Sequence, residues 1–345
     1  MKKILSLLCT AAMTASLFTG CKNNDTPSVD NQEETASKVS EASVISFETH
    51  HKLSNPNADE VTQRVYDYIC ENFEEYMLSS QQESTWKGSP DYEMNIIEEA
   101  TGKLPAIRGL DYMNGAFNGV NQRAIEWWEK GGLVTICWHT GINGKGYDES
   151  KNDIPDFERL FDESTPEHEK MIKNWDKAAN ALAELRDAGV PVLWRPFHEF
   201  DGRWFWWGKG GGENFIKLWQ MMYDRFTNEF GLTNLIWVLG YADNVSNGWY
   251  VGDDYCDIIG SDTYNNSTHV KAWKKLKELT TAEKPIAFHE CGNVPPVEDF
   301  ENDGCIWSWF MVWHTDWIEA NDKTNLSEIY NSEKVITLDE LPAFK

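Results

Sequence analysis

Residues 192–208 read VLWRPFHEFDGRWFWWG. An apolar run, Val192-Leu193-Trp194, passes into Arg195-Pro196 and then into an acid, Glu199, with Trp204, Trp206 and Trp207 close behind. A short continuous apolar run bounded by proline reads as a strand buried on both faces. Such a strand delivers whatever follows it to one end of a sheet. Here that is a carboxyl group able to move protons, beside indoles whose flat faces suit the apolar faces of pyranose rings.

The same alternation extends in both directions. Val61, Val65, Ile69 and Phe73 recur every fourth residue and mark a helix ahead of a first strand over residues 76–78. A second strand is expected over 104–110, a helix over 124–130 stopped by Gly131-Gly132, and a third strand over 133–138. Met171, Trp175, Leu182 and Leu185 mark a long helix closed by Gly189, after which the fourth strand covers 192–196. A further helix runs through Phe215, Leu218, Trp219, Met222 and Phe226. Strands five to eight are expected over 235–239, 258–262, 286–290 and 306–313. Eight apolar strands separated by helices predict an α/β fold of the (β/α)8 TIM-barrel type, which needs about 250 residues.

In such a barrel all strand ends meet at one rim. That rim collects Asp111, His139, His198, Glu199, Asp262, Tyr264, Glu290, Trp313 and His314. Glu199 on strand four and Glu290 on strand seven face each other across the mouth, the layout needed for retaining glycoside cleavage. Apolar neighbours such as Phe200 and Phe288 raise the pKa of an acid and suit a proton donor, whereas a cation such as Arg195 keeps a carboxylate ionised. The competing reading makes each glutamate a buried structural acid paired with arginine or histidine. Two such acids, each at a strand end, weaken that reading. Four histidines, at 139, 198, 289 and 314, sit near the rim without an HxxxH spacing, so neither a metal nor any other cofactor is expected. Trp127, Trp128, Trp175 and Trp219 fall on helices and read as packing; Trp204, Trp206, Trp207 and Trp313 fall in rim loops and read as sugar platforms.

The chain begins differently. Lys2-Lys3 precedes an apolar run to Phe18, and Leu17-Phe18-Thr19-Gly20 leads to Cys21. Residues 1–20 are expected to be a lipoprotein signal peptide with lipid attached to Cys21; the alternative is an ordinary signal with a chance cysteine. Residues 21–45, polar and poor in large apolar side chains, read as a tether, and 46–345 as one catalytic domain. Localisation at a bacterial cell envelope follows, anchored at the outer-membrane surface or the periplasmic face. The formal net charge of −25 argues against nucleic acid and anionic membrane surfaces as partners and fits a neutral substrate. Beyond Cys9 and Cys21, five cysteines remain, an odd number in mostly apolar context, which predicts buried thiols.

Arg195-Pro196-Phe197-His198-Glu199, then Gly202 and Trp204-Phe205-Trp206-Trp207-Gly208, resembles the acid/base motif of glycoside hydrolase family 26, whose best-known members are β-mannanases. Residues 77–83, 105–111, 234–238 and 262–264 resemble further strands of that family, in the right order, so that the resemblance covers 46–345. It implies Glu199 as acid/base, Glu290 as nucleophile, Arg195 and His198 holding their positions and charges, Tyr264 bonding the nucleophile, and His139, Trp204 and Trp313 lining the sugar site. It implies a monomer that cleaves β-1,4-mannosidic links in mannan, galactomannan or glucomannan. Alternatives are the same chemistry on mixed-linkage β-glucan or β-1,3-xylan, and a surface glycan-binding lipoprotein without catalysis. Three positions depart from the family pattern: Phe200-Asp201, His289 before the proposed nucleophile, and Thr140 after His139.

Overall fold

Each of the eight apolar runs forms a strand whose buried backbone is satisfied by the strands beside it. The computed structural model describes residues 43–280 and 282–345. The strands are β1 (Met77–Gln82), β2 (Ile107–Asp111), β3 (Leu133–Cys137), β4 (Val192–Arg195), β5 (Leu235–Tyr241), β6 (Ile258–Thr263), β7 (Ile286–Cys291) and β8 (Trp309–Val312). Each pairs in parallel with the next, and β1 pairs with both β2 and β8, so the sheet closes into a (β/α)8 barrel. A two-residue strand, β9 (Val335–Ile336), adds to the start of β1, through Met77↔Val335.

Helices cover the outside. The longest, Pro166–Asp187, starts at Thr165, whose side chain accepts from the His168 amide, with proline in the first turn. Trp127, Trp128, Trp175 and Trp219 are buried between helices and barrel, as their helical spacing predicts. The signal, the lipidation site at Cys21 and nearly all of the tether fall outside the described residues. Where the described chain begins, the Ile45 amide already bonds the Ala343 carbonyl. No helix among the described residues is long and apolar enough to cross a membrane.

Strand boundaries shift where polar residues enter the barrel. β1 runs to Gln82 rather than stopping at 78, because Ser79, Ser80, Gln81 and Gln82 are all buried inside the cylinder and hydropathy alone misses them. β2 starts at Ile107 rather than 104, since Pro105 has no N–H to give to a ladder. β8 is shorter than 306–313, because Trp307 turns aside and its indole N–H donates to Thr268 O at 3.0 Å.

Candidate active site

The loop after β4 is bent sharply. Phe197 and Glu199 adopt left-handed backbone, with φ of 50° and 56°. Such backbone is unfavourable for non-glycine residues and persists only where surroundings impose it. Here the Glu199 amide donates to Gly240 O at 2.8 Å, and the Asp201 carboxylate accepts from the Ala242 and Asn244 amides, each at 2.7 Å. Phe200 packs on Phe215 with ring centroids 3.9 Å apart. The Phe200-Asp201 departure therefore acts in the scaffold: one side chain fills the core and the other pins the β4 loop to the β5 loop.

This bend brings Glu199 over the barrel mouth. One carboxylate oxygen from each of Glu199, Asp262 and Glu290 lies within 4.8 Å of the other two. Around Glu290, Arg195 Nη1 donates to Oε1 at 2.5 Å and the Tyr264 hydroxyl donates to Oε2 at 2.9 Å. His198 Nε2 stands 3.6 Å from Oε1, beyond a good hydrogen bond. Around Glu199, the Trp204 indole donates to Oε2 at 2.8 Å. The two glutamates thus sit in unlike settings, one buried and cation-paired, the other half-buried against an exposed indole.

Electrostatics follow from burial. Burial pushes the Glu290 carboxyl up to about 6, opposed by Arg195 and aided by nearby Glu199. Asp262 is buried, one of its oxygens has no partner, and burial together with Glu199 holds it well above the usual carboxylate range. Crowded acids disfavour one another's charge, which adds to the same shift. Burial and then Arg195 keep His198 neutral. His139 behaves oppositely: burial works against its charged form, but Asp111, bonded to Nδ1 at 2.6 Å, outweighs that and raises it.

His289 also acts through the scaffold. Its Nδ1 accepts from Arg195 Nη1 at 3.1 Å, and its Nε2–H donates to Tyr241 O at 2.7 Å. Burial and then Arg195 hold it neutral. It therefore orients the guanidinium that holds Glu290. Thr140 supports the rim from below, its carbonyl accepting the Trp206 indole at 2.9 Å.

A cavity of about 640 Å³ opens over these groups, lined by His139, His198, Glu199, Trp204, Tyr264, Glu290 and Trp313 among others. Of the expected site residues only Arg195 lies beneath it, fully buried. Trp206 and Trp207 are not platforms: both are fully buried, and the Trp207 indole donates to His198 O at 2.9 Å. Further residues, without an expected role in the chemistry, take part, Asp262 and Trp317 among them. Asp262 belongs to the carboxyl cluster, and its place at the end of β6 was legible. Trp317, 38% exposed, lies with its ring centroid 4.7 Å from that of Tyr264 and lines the cavity; a lone tryptophan on a short helix gives no signal in sequence. Cys137, His139 and His198 offer ligand atoms within 4.8 Å of one another, and burial pushes the Cys137 thiol well up.

The sequence profile of glycosyl hydrolase family 26 matches residues 54–340. The chain belongs to that family. It is 33% identical over 320 residues to a mannan endo-1,4-β-mannosidase of Thermothelomyces thermophilus, covering 86% of this chain and 64% of that protein. It is 31% identical to mannan endo-1,4-β-mannosidase A of Piromyces, covering 87% of this chain and 52% of that one. This family 26 chain thus spans between half and two thirds of those relatives' lengths. Among solved structures, the Podospora anserina GH26-CBM35 β-(1,4)-mannanase superposes with a TM-score of 0.77 at 32% identity, over 85% of this chain and 69% of that one.

Proposed function

We propose that the protein is a retaining glycoside hydrolase that cleaves β-1,4-mannosidic links in mannan, galactomannan or glucomannan. One observation carries the reaction type. The Glu199 and Glu290 carboxylates approach within 4.8 Å across the mouth. Retaining enzymes hold their carboxyls about 5–5.5 Å apart, whereas inverting ones leave about 6.5–9.5 Å for a water. The family and the named relatives support mannan as the substrate.

The settings support the roles. Glu290, paired with Arg195 and Tyr264, is the anion that attacks the anomeric carbon. Protonated Glu199 donates to the departing glycosidic oxygen, and a covalent mannosyl-enzyme forms. Glu199, now a carboxylate, takes a proton from water as that water attacks the anomeric carbon and frees Glu290, giving net retention. His139, His198, Trp204 and Trp313 line the sugar site, and Arg195 holds Glu290. No step calls for a metal or organic cofactor.

Glu199→Gln and Glu290→Gln keep shape and remove the proton donor or the nucleophile. Each should lower kcat on mannan by about 10²-fold or more, with an unchanged circular dichroism spectrum. Turnover within a few-fold of the parent in either variant would sink the assignment, as would an inverted anomer seen by NMR at early times.

Lipid attachment at Cys21, with a monomeric enzyme held at the bacterial cell envelope, completes the proposal and rests on the signal-like residues alone. Radiolabelled palmitate entering the parent but not Cys21→Ser is the expected result in whole cells.

A further inference from the structure

A second cavity, of about 340 Å³, adjoins the first and lies within the size range of small-molecule sites. His139, Tyr147 and Trp313 line both, while Glu199 and Trp204 line only the first. Glu290 too lines only the first, so the second cavity leads away from both carboxyls along His139, Tyr147 and Trp313, on the side where no proton donor stands and the unit bearing the attacked carbon continues towards the non-reducing end. Its outer wall is Trp86, 54% exposed, which meets His314 edge-on at 4.8 Å between centroids. An indole left half in water beside a cleft is a ready face for a pyranose ring.

The two sides of this cavity come from different loops. Trp86 is on the loop after β1; Trp313 and His314 are on the loop after β8. One buried side chain joins them. Glu93, from the helix Tyr92–Thr101, accepts from the Ser84 amide through Oε2 and from the Thr315 amide through Oε1, each at 3.0 Å. Thr315 is held there with φ of 51° and ψ of −117°, a conformation a threonine adopts only under constraint. Both bonds need a carboxylate, since a carboxamide has one accepting oxygen and would turn an N–H₂ towards the other amide.

We infer that Glu93 is a positioning residue that clamps the β1 and β8 rim loops together and so fixes Trp86 as the platform for a mannosyl unit beyond the one attacked. This rests on the mannan-cleaving reading above. Glu93 touches no reacting atom, so its effect depends on substrate length.

The test compares kcat/KM for mannohexaose with that for an aryl β-mannoside in the parent, Trp86→Ala and Glu93→Gln. The ratio should fall about tenfold in both variants, the scale of one lost ring-stacking contact. A clamp of purely structural value would lower Tm in Glu93→Gln and leave the ratio at the parent value, overturning the inference. A normal ratio in Trp86→Ala would overturn it equally. If Glu93→Gln proves too unstable to assay, Ser84→Pro, which removes one of the two donated N–H groups, replaces it with the same expected fall. A parent without turnover on mannan would sink the reading of the preceding subsection and take this one with it.

Discussion

Glu290 has two opposing influences on its proton. Burial disfavours its anion, while Arg195 and Tyr264 favour it, and the balance stands at about 6. The nucleophile proposed above must be ionised, so kcat/KM should fall as pH drops through about 6. Tyr264→Phe removes a donor to the charged form, which raises that pKa and moves the acid limb to higher pH. A limb that stays in place would show that the hydroxyl does not bear on the anion. Arg195 is the poorer probe, because stripping one partner from a buried ion pair costs about 3–5 kcal/mol and confounds titration with unfolding. At this scale the sequence spoke clearly about identity and faintly about environment. Glu199 and Glu290 stood at strand ends, but the upward shift of Asp262 and the contacts of His289 with Arg195 and the Tyr241 carbonyl depend on neighbours from distant strands.

The loop after β4 shows how an element aims a residue. Gly202 lies directly beneath the Trp204 ring, and a Cβ there would sit 2.0 Å from it. Gly202→Ala should displace the indole and break its bond to Glu199, while the rest of the loop stays anchored through Asp201. A hydrogen bond contributes about 0.5–1.5 kcal/mol net, so kcat/KM on mannan should drop roughly threefold to tenfold with Tm nearly constant. An unchanged rate would show that the indole does not tune the acid. Helices and central strands were legible here because period and apolar runs are local properties. The start of β2 was legible too, in Pro105, but the polar half of β1 was not, since burial of Ser79–Gln82 inside a cylinder is decided by strands far away in sequence.

At the scale of the whole molecule, two cavities adjoin at the rim through His139, Tyr147 and Trp313. The region 141–165 carries two short helices, Tyr147–Asn152 and Phe157–Phe161, and contributes Tyr147 and Lys151 as side walls. On the reading proposed above, a cleft formed by both cavities takes a mannan chain at internal positions. Mannohexaose should therefore yield mixed products, and long mannan should lose viscosity before much reducing sugar accumulates. Mannobiose as the sole early product would contradict this. The order of strands and helices, and the arrival of Glu199, Tyr264, Glu290 and Trp313 at one rim, were set by the chain itself, because a parallel barrel sends every strand end to the same face. Which tryptophans meet water was settled only by tertiary packing. Trp204 and Trp206 stand two residues apart with the same chemistry, yet one is 41% exposed and the other fully buried. Exposure depends on what other segments bring alongside, and no local pattern carries that information.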